Sequence, residues 1–265
     1  MNMKFEHYSF GKRLRSILAV DFRRMFTMPL LYIMLGTSLV IPILVMVMTT
    51  MFDGSTSVNP QTGVETTIQG FESTWQGIGS LSGAGMSMDL TSMCNINLVF
   101  FMAAVLVCIF VAADFRSGYA KNLFAVRAKK TDYVISKSLV GFVGGVLMLL
   151  AYFIGTVLGG AIAGLSFDTG AAGVNGIVMC MLAKICLIAV FVPIYLLMSV
   201  IAKEKLWLSL VGSLMIGMLF FMMIPALTPL DSTIMNVVLC LAGGVLFNIG
   251  LGAISQMNLK KHDIL

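Results

Sequence analysis

The sequence predicts an all-α integral membrane protein of six transmembrane helices, preceded by an amphipathic helix in the interface, with both termini cytoplasmic. Three observations predict it. Of the 265 residues, 58% are hydrophobic and 11% charged, with a mean hydropathy of +0.98; a soluble globular chain carries about 25% charged residues. The apolar residues come in runs long enough to cross a bilayer rather than in strand-length pieces. The charged residues are sorted by sign onto alternate loops. So little polar surface cannot clothe a water-facing body, and a chain this apolar is not disordered either.

Six runs read as spans: Leu30–Phe52, Ile96–Ala113, Ser138–Leu165, Gly176–Ala202, Trp207–Leu227 and Ile234–Ile254. Each is long enough for a hydrocarbon core about 30 Å thick. Pro42 and Pro193 fall inside spans, where packed membrane helices tolerate the lost hydrogen bond. Only a short turn around Pro225, Pro229 and Asp231 separates the last two. The first run follows a long basic segment and runs on too far for a signal peptide, so it reads as a retained span.

Orientation follows from the positive charges. Lys4, Lys12, Arg13, Arg15, Arg23 and Arg24 precede the first span, and Arg116, Lys121, Arg127, Lys129, Lys130 and Lys137 lie between the second and third. Lys203 and Lys205 lie between the fourth and fifth, and Lys260 and Lys261 follow the sixth. The opposite loops hold Asp53, Glu65, Glu72, Asp89, Asp168 and Asp231, with no Lys or Arg. Positive loops stay inside, which puts both termini in the cytoplasm.

Residues 1–29 form an N-terminal segment of their own, and residues 30–265 a single transmembrane domain. In the first, Phe10, Leu14, Ile17, Leu18 and Phe22 recur at helical spacing with the basic residues on other faces. That pattern suits a helix lying in the membrane interface, and it also suits a cytoplasmic helix packed on protein. The outer loop 53–95 is the one sizeable polar stretch. It reads as a linker, as a cap, or as a surface attracting cationic substrates.

Chemistry is largely missing from the sequence. GxxxxGK[ST], GxSxG and HExxH are absent, and His7 and His262 lie near the two ends. No catalytic residue and no metal ligand set is predicted, and the chain is read as no enzyme by itself. The five cysteines (Cys94, Cys108, Cys180, Cys186, Cys240) are scattered in or beside apolar runs and read as small core residues; Cys94 alone is a candidate for reactivity. Lys184 is the one ionisable residue well inside a span. Charge there marks a functional position such as a substrate route, unless the stem snorkels to the outer headgroups. Gly141, Gly145, Gly155, Gly159, Gly160 and Gly164 give the third span small-xxx-small pairs for close helix approach, within the chain or between chains.

The loop 114–137 carries the most specific signal. It reads Asp114-Phe-Arg-Ser-Gly-Tyr-Ala-Lys-Asn-Leu-Phe, then Arg127-Ala-Lys-Lys-Thr-Asp-Tyr-Val-Ile-Ser-Lys137. Here the chain resembles the permease subunits of type-2 ABC exporters, the ABC-2 family. Those carry an acidic residue and an aromatic just after span two, then Gly-Thr-x-Lys-Asn-Leu-Leu and a closing basic element. Asp114, Gly118, Lys121, Asn122 and Leu123 stand at matching positions, and Tyr133 and Lys137 match the closing Tyr-x-x-x-Lys. Tyr119 stands where the family has Thr, Asp114 where Glu is commoner, and a usual proline is missing. The layout of six spans after an interfacial helix is also similar, although little room exists for re-entrant helices between the last two spans.

The resemblance implies the membrane-spanning permease subunit of an ATP-driven exporter. Its partners would be separate P-loop ATPase subunits, which bind the ATP and Mg, and a second permease copy or a similar chain, all in a bacterial cytoplasmic membrane. No cofactor is expected on this chain and no nucleic acid as partner. Asp114, Gly118, Tyr119, Lys121, Asn122 and Leu123 would couple to the ATPase, as a short basic amphipathic helix can dock in a groove. Similar permeases move drugs, peptides, lipids or polysaccharide precursors; the acidic outer loops favour an amphipathic or antimicrobial peptide. The rival readings are a secondary transporter, which lacks a mid-membrane carboxylate or His, and a membrane sensor or assembly protein.

Overall fold

A computed structural model of the chain describes residues 9–58, 65–67, 70–82, 95–126 and 129–261. Cys94, Asp89, Arg127, His7 and His262, named above, lie outside the described residues. The helices are α1 (Phe10–Thr27), α2 (Pro29–Met51), α3 (Leu98–Arg116), α4 (Tyr119–Val126), α5 (Lys130–Ala163), α6 (Gly173–Ala202), α7 (Leu206–Phe221), α8 (Ile224–Leu227) and α9 (Ile234–Lys261). A three-residue hairpin, β1 (Thr56–Val58) against β2 (Glu65–Thr67), is antiparallel with Thr56 opposite Thr67. Among the described residues, five helices are long and apolar enough to cross a bilayer: α2, α3, α5, α6 and α9. That is the make-up of a multi-pass integral membrane protein.

The expected fifth span, Trp207–Leu227, is not one helix. α7 stops at Phe221 and the chain turns through Met222 and Met223 before α8. Pro225 sits at the first turn of α8, where its missing N–H costs nothing and its fixed φ starts a helix. α7 alone is about 24 Å long at 1.5 Å per residue, short of the hydrocarbon core. The expected third span, by contrast, starts late in the sequence reading: α5 begins at Lys130, because Asp132 and Lys137 are buried in ion pairs instead of solvated.

α3 and α6 form the buried centre of the bundle, and α2, α7 and α9 its perimeter. Apolar side chains such as Ile33, Leu44, Met215, Leu219, Leu246 and Ile249 are more than half exposed on that perimeter, as suits helices solvated by lipid. Lipid tails are as apolar as Leu, so burial of apolar area does little to hold such helices together; close packing and polar contacts do. The glycines of α5 supply the first. A Cβ on Gly155 would collide with the Leu39 carbonyl oxygen, and one on Gly159 would lie 2.8 Å from Ile43 Cα. Both therefore let the backbones of α2 and α5 touch, and the contact is within the chain. Asn248 of α9 supplies the second, donating to the Ala189 carbonyl of α6 at 2.7 Å.

α1 and α2 together track α5. Arg13 reaches Asp132, Asp21 reaches Ser136 and Lys137, and Met25 lies beside Gly144. Leu39 then meets Gly155 and Ile43 meets Gly159. Contacts advance together along both partners, so α1 runs beside α5 in the same direction, with a break only at Met28, whose extended backbone suits the residue before a proline. Ile17, Asp21 and Met25 form the buried face of α1. Of the residues expected to face the membrane, Ile17 is buried on the protein, Leu14, Leu18 and Phe22 are half-buried, and Phe10 is exposed.

At the acidic end of the bundle, the segment after the hairpin folds back onto the helices. Its 3-10 turn, Thr74–Gly77, packs against α5, with Thr74 where a Cβ on Gly160 would be. Trp75 Nε1 donates to the Phe167 carbonyl at 3.0 Å, and Ile78 is fully buried. The part of loop 53–95 that is described is thus docked structure at Thr74–Ile78 and hairpin before it.

Candidate functional site

The site stands at the basic end of the bundle, where α1, α3, α4 and α5 meet. Gly118 builds its entrance. Its φ of +72° ends α3 in the left-handed conformation and turns the chain straight into α4, a backbone state that glycine adopts without a Cβ penalty. The Asn122 amide then donates to the Gly118 carbonyl at 3.0 Å, which starts the new helix. α4 is two-faced: Ala120 is buried and Leu123 and Phe124 are half-buried on the core, whereas Lys121, Asn122 and Ala125 are exposed. Phe124 stacks edge-on against Tyr133 of α5 with centroids 5.4 Å apart.

Beneath α4 lies a buried cluster of four charges. Lys137 Nζ of α5 is 2.8 Å from Asp21 Oδ1 of α1 and 2.6 Å from Asp114 Oδ2 of α3, and all three side chains are fully buried. Arg24 Nη1 of α1 is 2.6 Å from Asp114 Oδ1, its side chain partly exposed. Ser136 Oγ donates to Asp21 Oδ2 at 2.6 Å and Tyr133 donates its hydroxyl to Asp114 Oδ2 at 3.0 Å. Two cations balance two carboxylates; three of the four carboxylate oxygens accept hydrogen bonds, and Asp114 Oδ1 has its ion pair with Arg24 without hydrogen-bond geometry. Burial without such pairing would cost several kcal/mol per ion.

Aromatic rings close the cluster from the side. Lys137 Nζ is 4.0 Å from the centroid of Phe110, and the Arg24 guanidinium is 4.1 Å from that of Tyr119. Such contacts attract a cation to the ring face, more strongly where water is excluded. Burial first, and then the charges of Asp21 and Asp114, push the Tyr119 phenol above its ordinary value, so it is neutral at physiological pH. Tyr119 is the first residue of α4, and its contact with Arg24 joins that helix to the ion cluster.

Two further ties flank the cluster. Arg13 of α1 pairs with the buried Asp132 at 3.1 Å, in the first turn of α5, where a carboxylate suits the helix dipole. Lys130 Nζ donates to the Leu259 carbonyl of α9 at 2.5 Å.

Of the predicted coupling residues, the structure groups Asp114, Gly118 and Tyr119 with the cluster, leaves Lys121 and Asn122 exposed, and seats Leu123 on the core. Asp114 is fully buried, so an outside partner does not touch it. Asp21 and Ser136 carry no motif signal in the sequence, and Arg24 reads there only as one of the positive charges before the first span. Asp21 had one signal: an acid four residues from Ile17 and four from Met25, on the apolar face of its helix.

Lys184 stands apart, toward the acidic end. It does not snorkel: its side chain is fully buried, and Nζ donates to Asn97 Oδ1 at 2.7 Å and Thr228 Oγ1 at 3.0 Å. Both partners are neutral. Nearby, a cavity of about 220 Å³ lies between α6, the end of α7, α8 and α9, lined by apolar residues including Leu187, Phe191, Phe220, Ile224, Leu227 and Phe247. Lys184 does not line it. Cys108, Cys180 and Cys240 are buried thiols and Cys186 is half-buried. Among the described residues, no three His, Cys, Asp or Glu lie close enough to hold a metal ion.

The fold and this site define a multi-pass helical membrane protein with a buried ion cluster at the root of a short surface helix. No family model matches the chain, no curated protein matches its sequence, and no solved structure matches its fold.

Proposed function

We propose that the chain is the membrane-spanning permease subunit of an ATP-driven exporter of the ABC-2 type, with α4 as the element that a separate P-loop ATPase engages. One observation carries the reading. α4 offers Lys121 and Asn122 outward while its first residue, Tyr119, rests on Arg24 within a cluster shared by α1, α3 and α5. A push on α4 would reach three helices at once, and packed helices respond to such a push as rigid bodies.

In this reading the basic end faces the cytoplasm by the positive-inside rule, and α7 with α8 acts as a broken fifth span, for six in all. ATP and Mg bind the partner subunits, and this chain contributes no catalytic residue. Two permeases, identical or similar, flank the route. The acidic opposite end, with Asp53, Glu72, Asp168 and Asp231, suits release or capture of a cationic amphipathic peptide.

The test is affinity purification of the tagged chain from its native membranes, with mass spectrometry of the proteins that accompany it. Recovery of a P-loop ATPase with the wild type, lost in Lys121→Glu and Gly118→Val, is the expected result. Recovery of the chain alone, in detergents that preserve known transporter complexes, would overturn it.

A further inference from the structure

α7 is held to the bundle by a narrow line of small residues. Its buried face consists of Ser209, Ser213 and Gly217, spaced four apart, and its larger side chains are exposed or half-buried. Small residues let membrane helices approach closely, and hydroxyls bond across the contact. Ser209 Oγ is 2.8 Å from Ser199 Oγ of α6, and Ser213 Oγ is 3.2 Å from Cys108 Sγ of α3. The Ser199 hydroxyl already donates to the Tyr195 carbonyl at 2.8 Å, so Ser209 is the donor in the first pair. Gly217, the third member of the line, faces Tyr195 Oη. That hydroxyl is buried and has no hydrogen-bond partner among the described residues. A bare buried hydroxyl is costly, and such a group in a native fold calls for an explanation.

The line itself supplies one. A Cβ at the place of Gly217 would lie 3.2 Å from Tyr195 Oη, so a serine there would bring its hydroxyl within reach. Moving α7 toward the acidic end by four residues, about 6 Å, puts Ser213 at that place and Ser209 beside Cys108. Tyr195 gains Ser213, Cys108 exchanges Ser213 for Ser209, and Ser199 keeps its bond to the Tyr195 carbonyl. Two cross-helix contacts stand in either register. The opposite shift is blocked, because it would drive Phe221 into the space of a glycine.

Both ends of α7 suit such a step. At its start, Lys203 is the one non-glycine of positive φ among the described residues, at φ +52° and ψ −114°, a strained state for a residue with a Cβ. The four steps from Ala202 to Leu206 stretch to about 13–14 Å, enough to join neighbouring helices about 8–10 Å apart after the offset. The Arg116 tie to the Glu204 carbonyl is exposed, so water can replace it. At its far end the helix breaks at Met222–Met223, and the cavity of about 220 Å³ beside Phe220 and Met223 gives the advancing end room. Leu208 would arrive where the terminal methyl of Met198 now covers Gly212, and a methionine repacks readily. The step gives up the ring contact of Phe221 with Phe101 at 5.0 Å, which leaves the observed register the more populated.

We infer that α7 has two registers on α3 and α6, one turn apart, and that the Tyr195 hydroxyl is the contact that holds the second. One-turn ratchets of one element past another are among the ways packed helices switch. The inference does not depend on the exporter reading.

The test uses the purified full chain in bilayers, spin-labelled at Leu219→Cys near the acidic end of α7 and at Met257→Cys near the basic end of α9, both exposed positions. Cys94 and Cys186 are replaced by Ala, and the three buried thiols stay. Motion of α7 along its axis changes this distance almost directly. Double electron–electron resonance is expected to give a main population and a second one longer by about 5–6 Å. Ser199→Ala removes a contact of the first register alone and should raise the second population about fivefold, the worth of one hydrogen bond. Tyr195→Phe leaves the second register nothing to gain, and Gly217→Ser gives Tyr195 its partner in the first; each should lower the second population by about the same factor. A single population in wild type and Ser199→Ala alike would overturn the inference. So would a second population undiminished in Tyr195→Phe. Should Ser199→Ala elute aggregated, the wild-type distribution alone decides.

Discussion

Lys137 Nζ lies 2.6 Å from Asp114 Oδ2, and neither side chain touches solvent. The pair links the basic ends of α5 and α3, and through Asp21 the same ammonium holds α1. Removing one partner from such a cluster leaves uncompensated buried charge. Lys137→Met is therefore expected to destabilise the chain by about 3–5 kcal/mol, whereas a neutral replacement of the whole cluster recovers much of the loss. Thermal midpoints of purified protein should rank wild type, then Lys137→Met/Arg24→Gln/Asp21→Asn/Asp114→Asn, then Lys137→Met alone. A single variant as stable as wild type would mean the cluster is solvated and not buried.

Gly155 and Gly159 make a second prediction, because what blocks a side chain there is backbone. A methyl at Gly155 meets the Leu39 carbonyl oxygen, and neither helix can yield without separating. Gly155→Ala and Gly159→Ala should each cost about 1–3 kcal/mol, the usual range for overpacking. Gly36 of α2, with open space around its Cβ position, is the control, and Gly36→Ala should leave stability unchanged. Thermal unfolding followed by size-exclusion chromatography separates the outcomes; equal midpoints for Gly155→Ala and Gly36→Ala would refute the contact.

How much of this was legible in the sequence depends on which force acts. The long helices follow from hydropathy alone, since lipid demands a continuous apolar run with its backbone bonded internally. The break at Met222–Met223 did not, because the hydropathy of Trp207–Leu227 stays high while Pro225 resets the helix. Gly118 and its turn were readable from residue type and spacing. The ion cluster was not: Asp21 is 116 residues from Lys137 in sequence and looks like an ordinary charge near a span boundary, and nothing in the motif that holds Asp114 and Lys137 points to it. Only the parallel run of α1 beside α5 brings them together. The same is true of Lys184, whose stem could reach headgroups by length, yet which the fold pins beneath Asn97 and Thr228.

That placement gives Lys184 a structural task. Its ammonium fastens Asn97, just before α3, and Thr228, just after α8, to α6. Lys184→Met would strip both oxygens of a charged donor in a buried setting, at a cost of about 1–3 kcal/mol. The expected phenotype is a lower thermal midpoint and less folded protein in the membrane. Normal accumulation together with lost transport would instead assign the residue to the substrate route.

At the same acidic end, Asp231 latches the returning outer segment. Its carboxylate accepts from the Ser82 hydroxyl and from the Ser82 amide at 2.8 Å, while the Leu230 amide donates to the Ser80 carbonyl, also at 2.8 Å. The hydroxyl bond above all holds the Asp231 carboxyl below its ordinary value. A carboxyl whose value is lowered in the folded state stabilises it fully above the unfolded value, and the contribution is lost as pH falls through the folded one. The segment around Ser80–Ser82 should therefore stay docked at neutral pH and loosen below about pH 4, near the ordinary carboxylate value. Hydrogen exchange of the Ser82 and Leu230 amides, corrected for intrinsic rates, reads this directly. Protection should drop across that window in wild type and vary little in Asp231→Asn, whose side-chain oxygen still accepts but does not titrate. Protection equally flat in both proteins would show that the backbone bond between Leu230 and Ser80 holds the segment without the carboxylate.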